Sequence, residues 1–159
     1  MPRGPADVKD TAAVIAPPPL IYLAGLVVGL ILGAAVPTPF LPRGVASVIG
    51  VVLIATALWL ALWGARTMRR AGTSVRPDVP TTTLVTIGPF GFSRNPLYLS
   101  LALLYAGIAI AARSLWALLF LIVVLVVTHR GVIGREERYL ERKFGVEYLQ
   151  YKARVRRWL

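Results

Sequence analysis

Four long apolar runs restrict the fold of this chain more than any other feature of its sequence. They cover Leu20–Val36, Gly44–Ala65, Pro96–Ala112 and Leu115–Thr128. A helix that crosses the hydrocarbon core of a bilayer, which is about 30 Å thick, needs about 20 apolar residues. The last two runs are slightly short, but the third can begin before its proline and the fourth can continue through His129. The runs therefore predict an all-α integral membrane helical bundle with four transmembrane helices.

The distribution of positive charge predicts which side of the membrane each segment faces. The formal net charge is +11, and all 18 lysines and arginines except Arg43 and Arg113 lie in 1–19, in 66–95 or after Thr128. With four spans these segments share one side, and basic segments are typical of the cytoplasmic side. We therefore expect both termini in the cytoplasm and the protein in the plasma (inner) membrane. In a chain that is 57% hydrophobic, this charge indicates anionic lipid headgroups as partners rather than nucleic acid.

The cysteine and histidine counts exclude several kinds of site. There is no cysteine, which rules out disulfides, thiolate zinc sites and a cysteine nucleophile. The one histidine, His129, cannot form a metal site alone, so we expect no metal. The oligomeric state is left open by the sequence.

Composition divides the chain into three regions. Residues 1–19 are rich in proline and small residues. This composition predicts a disordered cytoplasmic tail. Residues 20–66 hold the first two transmembrane helices, and 67–159 hold a connector, a transmembrane hairpin and a C-terminal helical tail. A signal peptide is the alternative for the first apolar run, but the acidic, proline-rich start disfavours it.

Small residues predict how the helices meet. Gly25, Gly29 and Gly33 fall on one face of the first helix, where they allow close approach of a neighbouring helix. We expect that neighbour to come from the same chain rather than from a second copy. Arg113-Ser114 predicts a tight turn in which Ser114 caps the fourth helix.

The segment LVTIGPFGFSRNPLYL, Leu84–Leu99, has the composition of a turn followed by a helix start. Its GP dipeptide is a turn signal, and its NP dipeptide, Asn95-Pro96, supplies a cap and a favourable first helical residue. The free N–H groups of a helix N-terminus can hold a carboxylate or phosphate. The segment is therefore a candidate binding site. The alternative is that Asn95 is only a cap and that Arg94 only marks the membrane boundary.

The C-terminal region REERYLERKFGVEYLQYKARVRRW predicts a cytoplasmic amphipathic helix with a break near Gly145. One interpretation is that this helix only lies on the lipid headgroups, held there by its basic residues. Glu136 and Glu137 come soon after the fourth helix, at the level of the RN dipeptide. Adjacent acids are costly near a negatively charged membrane surface and thus indicate a function. The alternative is that each pairs with Arg135, Arg138 or a similar neighbour.

Together these segments resemble a known family. GPFGFSRNPLYL, followed after a hairpin by EERYL and then FGVEYLQYKARV, is similar to the motifs of the isoprenylcysteine carboxyl methyltransferase and phospholipid methyltransferase group. The pattern there is G-P-aromatic-x-aromatic-x-R-(H or N)-P-x-Y, then E-E-x-x-L-x-x-x-F-G-x-x-Y-x-x-Y-x-x-x-V. The resemblance runs from Thr82 to Val155, nearly half of the chain.

The resemblance implies a cytosol-facing S-adenosylmethionine site without a Rossmann domain. It implies that the cofactor is bound by Thr82, Thr83, Leu84, Val85, Gly88, Phe90, Asn95, Pro96, Leu97, Tyr98 and Glu136. In that arrangement Phe90 packs on the adenosyl group and Glu136 binds a polar or cationic part of the cofactor. A helix N-terminus suits its carboxylate, and a glutamate suits its hydroxyls and ammonium.

Three positions depart from the family pattern. Asn95 stands where many members have histidine, and Gly91 where related bacterial sequences often have arginine. Val132 stands where the eukaryotic prenylcysteine enzymes have an arginine that serves the substrate carboxylate. These departures disfavour a C-terminal prenylcysteine as the substrate.

The leading hypothesis is an integral membrane methyltransferase that acts on a lipophilic or small-molecule acceptor. Its catalytic candidates are Glu137 and Arg94. A carboxylate or thiolate acceptor needs no base, whereas a neutral amine or thiol can use Glu137 or His129.

Two other functions are compatible with a small helical membrane protein. A four-helix transporter usually couples protons through an acid inside a span, but none of the four apolar runs contains Asp or Glu. A non-catalytic scaffold that has lost the cofactor is the other alternative. The intact sequences from Arg94 to Tyr98 and at Glu136-Glu137 disfavour it.

Overall fold

The computed structural model describes residues 16–75 and 80–159, and all of its regular elements are helical. Helix α1 covers Pro18–Ala35, α2 Arg43–Arg70, α3 Pro96–Ala111, α4 Leu115–Thr128, α5 Gly134–Phe144 and α6 Val146–Arg154. A 3-10 turn at Gly88–Gly91 precedes α3, and a π-helical turn at His129–Ile133 joins α4 to α5. Residues 1–15 of the predicted tail lie outside the described residues. Helix α1 begins at Pro18, two residues before the predicted start at Leu20.

Three helices are long and apolar enough to cross a membrane: Pro18–Ala35, Arg43–Arg70 and the continuous helix Leu115–Phe144. They indicate an integral membrane protein and match three of the four expected spans. The remaining apolar helix, α3, has 16 residues, which is about 24 Å at 1.5 Å per residue. A count of four spans therefore stays a prediction.

The helices pack in two main pairs, α2 with α3 and α1 with α4. As expected, the glycine face of α1 contacts a helix of the same chain. A Cβ added at Gly29 would lie 2.5 Å from the Ala117 backbone of α4, and one at Gly33 would overlap Ser114 Oγ. Ser114 also caps α4, because its Oγ accepts a hydrogen bond from the Ala117 N–H, as predicted. The glycines thus bring α1 and α4 into backbone contact.

The C-terminal part of the chain folds back over one end of the bundle. The π-helical turn carries the α4 helix on into α5, so Glu136 and Glu137 extend from the end of a membrane helix. Gly145 has φ of +53°, which favours glycine, and it ends α5 as the sequence indicated. Helix α6 then packs beside the segment before α3, where the Tyr151 hydroxyl donates a 2.7 Å hydrogen bond to the Phe90 carbonyl. This fold places the acidic pair next to the NP helix start.

Candidate cofactor site

A cavity of about 770 Å³ lies between the start of α3, helix α5 and the end of α2. Its size is typical of small-molecule sites. It is lined by eleven of the predicted site residues: Thr83, Leu84, Val85, Phe90, Arg94, Asn95, Pro96, Leu97, Tyr98, Glu136 and Glu137. Segments that are distant in the sequence thus meet around one space.

Thr82 and Gly88 do not line the cavity, but both shape the segment that does. The Thr82 N–H donates to Thr73 Oγ1 at 3.2 Å, and its hydroxyl donates to the Gly72 carbonyl at 2.9 Å. These bonds tie the connector to the end of α2. Gly88 has φ of +60°, and a Cβ there would lie 3.1 Å from Thr67 Oγ1. It therefore makes a tight turn directly against α2.

Glu136 faces the first turn of α3. Its Oε1 accepts a 2.6 Å hydrogen bond from the Tyr98 hydroxyl, and both side chains line the cavity. The Tyr98 carbonyl lies 3.4 Å from the hydroxyl of Tyr22 on α1. A carboxylate that accepts one hydrogen bond from a phenol hydroxyl keeps further lone pairs for a ligand.

Glu137 is buried between two arginines that are distant from it in the sequence. Its Oε1 lies 3.2 Å from Arg94 Nη2 and accepts a 2.9 Å hydrogen bond from Arg157 Nε, while its Oε2 accepts one from Arg157 Nη2. Only 7% of the Glu137 side chain is exposed. The described ion pairs of Glu137 therefore join it to distant arginines, whereas the sequence left pairing with an adjacent arginine open as the alternative.

Arg94 is a partly unpaired cation in the wall of the cavity. Its side chain is 9% exposed, and its Nε and Nη1 atoms are buried without a hydrogen-bond partner among the described residues. Together Arg94, Glu137 and Arg157 carry one net positive charge. Buried donors without partners are rare and require an explanation such as a water, an ion or a ligand.

Asn95 occupies the N-cap position of α3, but its side chain makes no capping hydrogen bond. Its Nδ2 donates instead to the Arg157 carbonyl at 2.9 Å. The expectation that its side chain caps the helix was wrong, because the C-terminal residues pack against it and offer an acceptor. Asn95 still lines the cavity.

Sequence reasoning missed the tyrosines that form one side of the cavity. Tyr139, Tyr148 and Tyr151 line it, and the Tyr139 hydroxyl accepts a 3.2 Å hydrogen bond from the Thr81 N–H. Burial raises the pKa of Tyr148 to about 12, so its hydroxyl stays protonated. The available signal was their recurrence in the EERYL and FGVEYLQY motifs. His129, by contrast, does not line this cavity.

The cavity extends from this polar end into the apolar level of the bundle. On α2, the cavity is lined by Met68, by Ala65 about one turn earlier and by Ala61 about two turns earlier. On α3, it is lined by Leu101, about one turn after Tyr98. The prolines at the start of α1 complete this wall. Small side chains on α2 therefore leave room where a larger residue would fill the space.

Comparisons with known proteins agree with the motifs. Residues 45–147 match the model of the phospholipid methyltransferase family, and the match includes both the RN dipeptide and the acidic pair. A protein of Haemophilus influenzae described as an uncharacterized protein is 44% identical over 63 residues, which is 40% of this chain and all of that protein. The family match covers well over half of the chain. The chain therefore belongs to the phospholipid methyltransferase family, a family of membrane methyltransferases.

Proposed function

We propose that the protein is an S-adenosylmethionine-dependent methyltransferase that acts on a lipophilic or small-molecule acceptor at the cytoplasmic face of the membrane. One observation carries this proposal. A single cavity joins the RNPLY sequence to the Glu136-Glu137 pair across a helical hairpin and continues into the apolar part of the bundle. Such a cavity can hold a polar donor and an apolar acceptor side by side.

The side chains present fit the chemical groups of this cofactor. The unpaired nitrogens of Arg94 suit a carboxylate, because guanidinium and carboxylate form short, charge-assisted hydrogen bonds. Glu136 has lone pairs for an ammonium or ribose hydroxyl beside its bond to Tyr98. Phe90 and Tyr148 offer aromatic surface to an adenine ring. Asn95 and the backbone at Thr83–Val85 complete the proposed cofactor site.

When bound, S-adenosylmethionine supplies a methyl group that is attached to a positively charged sulfur. The residues of this chain then have to align the acceptor and exclude water, which contributes more than acid-base chemistry to such a transfer. The tyrosines of α5 and α6 can exclude water because they cover the polar end of the cavity. Glu137 is held by two arginines, and we propose that it positions Arg94 rather than removing a proton. A carboxylate or thiolate acceptor, which needs no base, agrees best with that arrangement.

The apolar extension of the cavity supports a lipophilic acceptor. Pro17–Pro19 and Ala61, Ala65 and Leu101 line this part. Apart from Pro17, which directly precedes α1, these residues belong to helices that are long or apolar enough to lie in the membrane. We propose that the acceptor reaches the site from the bilayer, and the cofactor from the cytoplasm of a cell whose plasma (inner) membrane holds the protein. The basic residues that follow α4 support this orientation.

Calorimetric titration of S-adenosylmethionine into the protein in lipid nanodiscs tests the proposal. We expect saturable binding by the wild type and a loss of at least about tenfold in affinity for Arg94→Gln and Glu136→Gln, because each removes a charged hydrogen-bonding group. Arg154→Gln is a matched control, since Arg154 is exposed on α6 outside the cavity. Absence of binding by the wild type would contradict the proposal and favour a scaffold without a cofactor.

A further inference from the structure

The last five residues, Val155–Leu159, form a C-terminal strap that crosses the start of α3. Helix α6 ends at Arg154, and Val155 has extended backbone angles. The strap lies beyond residue 147, where the match to the family model ends. Its contacts are therefore a feature of this chain that the family match does not explain.

The backbone of the strap binds the RN dipeptide directly. The Arg156 carbonyl accepts a 3.0 Å hydrogen bond from the Arg94 N–H. The next carbonyl, that of Arg157, accepts the 2.9 Å bond from Asn95 Nδ2. Because this bond uses one N–H of the Asn95 amide, Oδ1 and the second N–H remain for a ligand.

The Arg157 side chain uses all three of its nitrogens. Nε and Nη2 donate to the two oxygens of Glu137, and Nη1 lies 2.7 Å from His129 Nε2. The indole nitrogen of Trp158 lies 3.4 Å from Nδ1 of the same ring. The strap is thus fixed to both α5 and the π-helical turn.

This arrangement limits what Arg94 can do. Arg157 occupies both oxygens of Glu137, and Arg94 approaches the same carboxylate through Nη2 alone. If Arg157 were absent, Arg94 could turn and form a two-nitrogen pair with Glu137, the preferred geometry of an arginine and a carboxylate. Its Nε and Nη1 would then no longer be available as free donors.

We propose that Arg157 is a positioning residue that saturates Glu137 and thereby keeps two Arg94 nitrogens available for the carboxylate of the cofactor. This inference rests on the proposed function. It extends the site to the C-terminus of the chain, beyond the motifs that define the family. The strap also sets the orientation of the Asn95 amide.

Calorimetry in nanodiscs with two probes tests this role. S-adenosylmethionine has the amino-acid carboxylate, and 5′-methylthioadenosine lacks it. For Arg157→Ala we expect the affinity for S-adenosylmethionine to fall roughly tenfold or more, because charged hydrogen bonds are lost, while the affinity for methylthioadenosine stays within about twofold. Arg157→Lys should behave like Arg157→Ala, since an ammonium cannot form the forked pair.

Two control variants separate positioning from general stability. Arg156→Ala removes the same charge from an exposed side chain and leaves its carbonyl in place, so its affinities should match the wild type. Trp116→Phe loses a 3.1 Å hydrogen bond to the Val36 carbonyl outside the site. It should lower the melting temperature without changing either affinity.

The outcomes distinguish the two proposals. If the wild type binds S-adenosylmethionine and both Arg157 variants bind it equally well, the positioning role is overturned and the proposed function stands. An equal loss of affinity for both probes would show that the strap is only structural, and this result also overturns the positioning role. If the wild type binds neither probe, the proposed function itself fails. Should Arg157→Ala not fold, Arg157→Lys alone decides the question.

Discussion

The membrane bundle and the polar cap of this protein are held together in different ways. The bundle consists of α1, α2, α4 and the part of α3 after Tyr98, and we use the name polar cap for residues 80–98 and 134–159. In the bundle, glycines such as Gly29 and Gly50 bring backbones into contact, and a Cβ at either would lie within 2.7 Å of a neighbouring helix. In the cap, directed hydrogen bonds and ion pairs join segments from distant parts of the sequence. Close packing in the bundle fixes the positions of whole helices, whereas the hydrogen bonds and ion pairs of the cap fix the positions of individual polar atoms.

The difference has a physical reason. Lipid offers no hydrophobic drive for helices to associate, so close packing at small residues has to supply the contact energy. At the membrane surface, charged groups can be paired and partly buried, and their geometry is specific. We therefore expect changes in the bundle to alter stability and changes in the cap to alter ligand binding.

The largest effect should follow the loss of the central carboxylate of the cap. Glu137→Ala leaves the buried Arg94 and the partly exposed Arg157 without their shared partner, and breaking a buried ion pair on one side costs about 3–5 kcal/mol. We expect a much lower melting temperature and no measurable affinity for S-adenosylmethionine. Glu141→Ala is the matched control, because Glu141 pairs with Lys152 at a more exposed position. If the melting temperature and the cofactor affinity of Glu137→Ala equal those of the wild type, the ion pairs of Glu137 do not hold the cap together.

A smaller but purely structural effect is expected in the bundle. Gly29→Ala places a Cβ against the Ala117 backbone, and overpacking of this kind costs about 1–3 kcal/mol. The melting temperature should fall, while cofactor affinity below that temperature should not change. Gly44→Ala is the control, since nothing lies within 4 Å of a Cβ at Gly44. A loss of affinity in Gly29→Ala without a loss of stability would contradict the division between bundle and cap.

The hydroxyl of Tyr98 tests the cap at one atom. Tyr98→Phe removes the 2.6 Å bond to Glu136, and we expect roughly tenfold weaker cofactor binding, because hydrogen bonds to charged groups contribute about 1.5–3 kcal/mol. Tyr22→Phe is the matched bundle variant, since the Tyr22 hydroxyl donates a 3.4 Å hydrogen bond to the Tyr98 carbonyl and does not line the cavity. Calorimetry should show a lower cofactor affinity for Tyr98→Phe than for Tyr22→Phe. Equal affinities would show that the Tyr98 hydroxyl does not contribute to the cofactor site.

The smallest effect is expected between α6 and the 3-10 turn. Tyr151→Phe removes the 2.7 Å bond to the Phe90 carbonyl, which should cost about 1 kcal/mol of stability. Cofactor affinity should fall by only about twofold to threefold, because the aromatic ring that lines the cavity is kept. Thermal unfolding and calorimetry on the same preparation measure both quantities. A complete loss of binding would show that Tyr151 contacts the ligand through its hydroxyl.

Much of the bundle could be predicted from the sequence because local patterns determine it. Hydropathy located the apolar helices, the glycines of α1 indicated a close contact with another helix of the chain, and Gly145 marked the break before α6. The length of α3 was less certain, since the proline that starts it and the turn before it limit it to 16 residues. Such features depend on residues that are close together in the chain.

The partners within the cap could not be predicted in this way. The pairing of Glu137 with Arg94 and Arg157, and the bond from Asn95 to the Arg157 carbonyl, join residues that are 20 or more positions apart. A sequence shows that these charges exist but does not show which of many arginines reaches which carboxylate. The predicted site residues include eleven that line the cavity, whereas Arg157 lies beyond the motifs.

Photo-crosslinking of methyl-tritiated S-adenosylmethionine to the protein in nanodiscs, followed by peptide mapping, tests the central claim most directly. The central claim is that the polar cap, and not the bundle, holds the cofactor. We expect saturable label in the peptides that contain Phe90 and Tyr148, and its loss when excess S-adenosylhomocysteine is added. Label confined to α1 or α4, or label that excess S-adenosylhomocysteine does not reduce, would contradict that claim.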